Sequence, residues 1–301
     1  MLFVNEQKLL ESCARCMANP DDPKAMDELQ TGVRSIGRNI SRVYKIMPAN
    51  MERMIYSTYN GTGIISLNGT INEFCRKGKS IDSIRSRHRV RDIKKVYISL
   101  FYDDSNSMTA WYRNKKSPAK IPESKAPQNY AKVAYLSLAE GLGKTMDINL
   151  WTYSGDVQGP FSVNNSLYRH LITRNGSGGK RLDLAIESLM DYGWDRKAGT
   201  KIAIIMTDGV PSFGNDIYAE DVLVNINTLG NIKKLIDRKV KVLYIQLLTD
   251  EIKKFKKSGG YTMKEFGDEL QKIGCNVVNV DTAANIGDSL FYGLQEIIKK
   301  I

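Results

Sequence analysis

Val-Tyr-Ile-Ser-Leu-Phe-Tyr-Asp-Asp-Ser-Asn-Ser-Met, residues 96–108, decides how this chain folds. Val96–Tyr102 carries no charge and is strand-sized, and it runs directly into alternating oxygen-bearing side chains, Asp103, Ser105 and Ser107. Near-continuous apolar strands belong to sheets covered on both faces. Alternate residues of a tight loop can point to one centre, and hard oxygen donors suit a divalent cation, Mg²⁺ first, Mn²⁺ or Ca²⁺ next, rather than zinc. About a hundred residues later a second apolar run, Lys201–Thr207, leads into Asp208-Gly209. In a doubly wound sheet two such strand ends can be neighbours, which gathers Asp103, Ser105, Ser107 and Asp208 at one rim, where ligands of these sheets bind. The plainer reading is that Asp103 and Ser105 cap a loop and Asp208-Gly209 forms a tight turn.

Outward from this pair the pattern alternates. Strands are expected at Val96–Tyr102, Asp147–Tyr153, Lys201–Thr207, Val240–Leu247 and Asn276–Val280. Helices are expected at about Tyr130–Gly141, Leu182–Tyr192, Asp221–Arg238, Thr262–Ile273 and Asn285–Ile301. That alternation predicts an α/β fold with a doubly wound, mostly parallel sheet. Upstream, Leu9, Leu10, Cys13, Cys16 and Met17 recur at helical spacing, Pro20–Pro23 reads as a turn, and Met26, Leu29, Val33 and Ile36 mark a second helix. The expected division is a helical N-terminal region with a basic lead-in, 1–94, and the α/β module, 95–301. Cys13 and Cys16 have CxxC spacing without a second ligand pair, so they read as core residues.

The strings Asp103-Asp104-Ser105-Asn106-Ser107-Met108 and Thr207-Asp208-Gly209, each after an apolar strand, resemble a von Willebrand factor type A (VWA) domain over about Lys95–Ile301. The resemblance implies a Rossmann-like fold and a metal-ion-dependent adhesion site, MIDAS, formed by Asp103, Ser105, Ser107 and Asp208. It also implies a protein partner that donates an Asp or Glu to the metal. One segment departs from the family pattern. Where Gly-Gly-Thr is usual, with Thr a ligand, this chain reads Gly178-Gly179-Lys180. A Lys180 ammonium either repels a divalent cation or substitutes for it; otherwise the loop shifts register and Ser177 or Asp183 supplies an oxygen. Asp183 also suits the first turn of the helix that follows. An interaction module with a decayed metal site is therefore an alternative.

The whole chain has 301 residues and a formal net charge of +11, with 42% hydrophobic and 26% charged residues, ordinary globular values. The charge is local: Arg76–Lys95 holds nine basic residues against Asp82 and Asp92, an excess of +7. Arg85, Arg87, Arg89 and Arg91 share a face if that stretch is extended, so a second alternative is nucleic-acid binding, although no aromatic residues interleave as stacking platforms. No apolar run approaches the ~20 residues of a membrane span, the first ten residues do not read as a signal peptide, and four scattered cysteines make no disulfide framework. A cytoplasmic, membrane-free protein is expected. Gly69-Thr70-Ile71-Asn72, followed by the basic stretch and the metal-binding strand, resembles VWA partners of MoxR-type AAA+ ATPases of the cobalt-chelatase kind, which implies an adapter role. The chain itself has no P-loop string. With His88 and His170 the only histidines and neither in a triad spacing, no enzyme activity is expected. Thr109–Ala126, rich in Lys and Pro, reads as an insertion beside the metal loop or a flap over it.

Overall fold

The strongest apolar runs pair with one another and are then covered by helices. The computed structural model describes residues 6–46, 54–55, 90–91, 95–109, 126–162, 165–173, 178–214, 218–247, 260–281 and 285–299. Its main sheet contains β1 (Val96–Asp103), β2 (Asp147–Tyr153), β3 (Val157–Ser162), β4 (Thr200–Thr207), β5 (Lys241–Leu247) and β6 (Asn276–Val280), in the spatial order β3-β2-β1-β4-β5-β6. All neighbours are parallel except β3, which runs antiparallel to β2. The fold class is thus α/β with a doubly wound, mostly parallel sheet. β1 and β4 lie at its centre and bury nearly every side chain, as their largely apolar sequences require.

Nine α-helices accompany the sheet among the described residues: α1 (Glu6–Ala18), α2 (Pro23–Ile46), α3 (Asn106–Thr109), α4 (Pro127–Leu142), α5 (Asn165–Thr173), α6 (Leu182–Asp191), α7 (Tyr218–Asp237), α8 (Met263–Lys272) and α9 (Ile286–Lys299). Thr262 opens α8 with a reciprocal capping box: the Glu265 N–H donates to Thr262 Oγ1 at 3.2 Å, and the Thr262 N–H donates to Glu265 Oε2 at 2.8 Å. β3 and α5 are not anticipated by the periodicity. β3 is a largely exposed edge strand containing Gly159 and Pro160, and its register against β2 slips between Leu150 and Thr152. Glycine and proline at such a bulge mask the strand signal. His170 lies in α5 with its ring 3.6 Å from that of Phe161.

The chain divides into two compact units, Met1–Ile46 with Lys95–Ile301, and Met47–Lys94. Helices α1 and α2 belong to the larger unit, and the reason is visible in α2. A Cβ added to Gly141 of α4 would lie 2.7 Å from the Gly37 carbonyl oxygen of α2, and one added to Gly37 would lie 3.0 Å from Glu140 Cβ. Two glycines let the helix backbones approach, and Arg34 reaches Glu140 at 3.8 Å beside them. Cys13 and Cys16 are fully buried, as free core thiols. Burial pushes the Cys13 thiol up to about 12 and the Cys16 thiol up to about 11. In the smaller unit, Met54–Ile55 pairs antiparallel with Val90–Arg91.

Gly141→Ala is expected to destabilise the protein by about 1–3 kcal/mol, because backbone stands where the methyl must go. Urea unfolding measures it, and an unchanged midpoint would refute the glycine-mediated contact.

Candidate functional site

Strand order places a switch point between β1 and β4, because the winding runs one way from β1 through β2 and the other from β4 through β5. Tyr102 pairs with Met206, so the next residues along, Asp103 and Thr207, end their strands side by side. Thr207 Oγ1 donates to Asp103 Oδ2 at 2.5 Å, and the Ser105 N–H donates to Asp103 Oδ1 at 3.0 Å. Asp103 has no exposed surface. Burial pushes its carboxyl above the ordinary range; Lys180 opposes that, neighbouring Asp208 adds to it, and the bonds from Ser105 and Thr207 lower it.

The second layer of the site joins three segments of chain. Ser107 Oγ donates to Asp208 Oδ1 at 2.7 Å. Lys180 Nζ donates to Ser107 Oγ at 2.6 Å and pairs with Asp208 Oδ1 at 2.9 Å. Ser105 Oγ stands 3.0 Å from Ser107 Oγ. Since the single Ser107 proton is directed to the carboxylate, Ser105 is the donor in that contact. The side chains of Lys180 and Asp208 are only 11% and 4% exposed, so each neutralises a charge that burial would otherwise penalise.

The loop holding Lys180 is fixed by its backbone. The Lys180 N–H donates to the Ser212 carbonyl at 2.8 Å, and the Ser212 N–H returns a bond to the Lys180 carbonyl at 3.2 Å. The Arg181 N–H donates to the Ser154 carbonyl at 2.8 Å. Gly179 permits this approach, since an added Cβ would lie 2.3 Å from the Phe213 carbonyl oxygen. At Gly209 an added Cβ would lie 2.3 Å from Lys180 Nζ, so the missing side chain is where the ammonium passes.

The structure therefore brings Asp103, Ser105, Ser107, Lys180 and Asp208 together. Asp183 is placed apart from them, clasped by Arg181 through Nε to Oδ1 at 2.9 Å and Nη2 to Oδ2 at 2.8 Å. Arg181 also lies over the Phe213 ring, 5.0 Å from its centroid. Ser177, Arg85, Arg87, Arg89, Gly69–Asn72 and residues 110–125 lie outside the described residues, as does the side chain of Arg91. Among the described residues no group of three or more His, Cys, Asp or Glu side chains is arranged to hold a metal ion. Sequence reading passes over the Thr207 hydroxyl, the Ser212 backbone and the space at Gly209. Only the Thr-Asp-Gly string hints at the first and last.

No protein-family model matches the chain, and no curated protein matches it. Similar solved structures include the PilB minor pilin from Streptococcus sanguinis, 14% identical with a TM-score of 0.46, covering 69% of this chain and 61% of the pilin. The chain thus spans less than two thirds of the pilin's length. The vWF domain of the type V pili tip protein Mfa5 from Porphyromonas gingivalis is 9% identical with a TM-score of 0.45, covering 69% of this chain and 96% of that domain. Proximal thread matrix protein 1 from the mussel byssus, with a zinc-occupied MIDAS motif, is 16% identical with a TM-score of 0.43, covering 68% of this chain and 48% of that one.

Lys180→Met is expected to cost about 3–5 kcal/mol, because it leaves the Asp208 carboxylate buried without its partner. Denaturant unfolding reads this loss, and Asp208→Asn, which removes the charge and keeps the shape, is expected to restore part of it in the double variant.

Proposed function

We propose that this chain is a non-catalytic protein-interaction module of the von Willebrand A kind, which meets its partner at the switch-point rim and the adjoining face of α7. The observation that carries the reading is apolar surface next to an ordered polar rim. Phe213 follows the Ser212 bridge and is 37% exposed, while Tyr218, Leu223 and Ile226 of α7 are 64%, 59% and 57% exposed. Large apolar side chains left in water beside a polar site are features of surfaces that bind other proteins.

Ser107 and Lys180 have the spacing of a nucleophile and its base. The lysine, however, donates to Ser107 Oγ and pairs with Asp208 Oδ1, so it does not stand as an acceptor for the serine proton. That supports a binding role over hydrolysis. A cytoplasmic setting is part of the proposal and is supported by Cys13, Cys16 and Cys275 standing as free buried thiols. Among the described residues, no helix is long and apolar enough to cross a membrane. An AAA+ ATPase as the partner, and a divalent cation with a partner carboxylate on it, are finer readings. The first is supported by the Gly69–Asn72 resemblance, and the second by the gathering of Asp103, Ser105, Ser107 and Asp208. The second also requires Lys180 to leave both of its acceptors.

Affinity capture from native extract tests the module. Leu223→Lys with Ile226→Lys is expected to abolish the captured proteins while leaving the thermal midpoint unchanged, since both side chains are exposed. Capture equal to wild type would refute the α7 face.

A further inference from the structure

We infer that the Lys180 ammonium is the resident cation of this rim, built into the chain where a divalent metal is implied by the family resemblance. The observations are a count of donors and acceptors and the shape of the loop. A serine hydroxyl has one proton and two lone pairs. The Ser107 proton goes to Asp208 Oδ1, and its two acceptor positions take Lys180 Nζ and the Ser105 hydroxyl. No lone pair of Ser107 remains for a metal. Asp208 Oδ1 is shared between Ser107 and Lys180 at 2.7 and 2.9 Å. The oxygens of Asp103 are engaged as well, one by the Thr207 hydroxyl and one by the Ser105 N–H. The residues present thus do not fit a divalent cation while Lys180 stands where it does.

The position of Lys180 is prepared by the fold around it. Its backbone is bridged in both directions to Ser212, and Gly209 leaves the volume through which its side chain passes. An ammonium supplies one positive charge and three directed hydrogen bonds, and offers no open coordination position. The partner's Asp or Glu therefore has no metal to ligate at this rim, and recognition there proceeds through hydrogen bonds and the neighbouring apolar surface. This deepens the interaction-module reading and rests on it only for that last step. The charge substitution is measured on the purified chain without any partner, so the failure of one reading is seen apart from the failure of the other.

The test is Mn²⁺ titration of the chelator-treated full chain by calorimetry, with thermal unfolding in Mn²⁺ and in EDTA. Wild type is expected to show no saturable site and the same midpoint in both solutions. Lys180→Thr, which removes the ammonium and adds an oxygen donor, is expected to bind one Mn²⁺ at least roughly tenfold more tightly than wild type, and to gain thermal stability from it. Asp103→Asn in that background is expected to remove the binding. Saturable one-site binding by wild type that Asp208→Asn abolishes would overturn the inference, as would a folded Lys180→Thr that gains nothing. If Lys180→Thr does not fold, the wild-type midpoints decide alone: equality supports the inference and a rise in Mn²⁺ overturns it.

Discussion

Burial of charge at the end of the central strands is the constraint around which this molecule is arranged. Asp103 and Asp208 are both withdrawn from water at the same strand ends. A carboxylate in that position is tolerated only if its oxygens are satisfied and its charge is offset. The remedy draws on three distant parts of the chain: the loop after β1, the loop before α6 and the end of β4. Ser105 and Thr207 satisfy Asp103, and Ser107 and Lys180 satisfy Asp208. The loop before α6 has little freedom as a result, since Gly179 lies against the Phe213 backbone and Lys180 is bridged to Ser212.

Much of the fold was legible because the buried parallel strands carry apolar runs long enough to stand out. β1, β2, β4, β5 and β6 fall within about a residue of the apolar runs that announce them. β3 was hidden by its exposure and by Gly159-Pro160, which suits an edge and looks like a turn. α5 was hidden for a different reason: it is short and carries only a few apolar residues, Leu167, Leu171 and Ile172 among them. The attachment of α2 to α4 was also concealed. Gly37 and Gly141 weaken helix propensity when read locally, and their value appears only when two backbones meet.

The site was legible in its membership and not in its wiring. Asp103, Ser105, Ser107 and Asp208 are each adjacent to a strand end, and sheet order does the rest. The role of Lys180 was open in the sequence because a long side chain can extend into solvent or fold back. What decides it is the space at Gly209 and the acceptor pair of Ser107 and Asp208. Asp183 illustrates the converse. As an acidic residue in a first helical turn it fits several roles, and the bidentate hold of Arg181 selects one of them.

The edge strand has a consequence for how copies of this protein behave when crowded. A sheet with a regular open edge is a template on which another chain can lay a strand. Along β3 the ladder is interrupted where Gly159 presses on β2, with an added Cβ only 2.8 Å from the Leu150 carbonyl, and Pro160 next to it has no N–H to give. The outer rim of β3 is therefore irregular and short of donors, which discourages strand-on-strand growth from that side. At this edge contacts are steered toward side-chain surfaces, where sequence can discriminate between partners, and away from main-chain pairing, which accepts almost any extended segment.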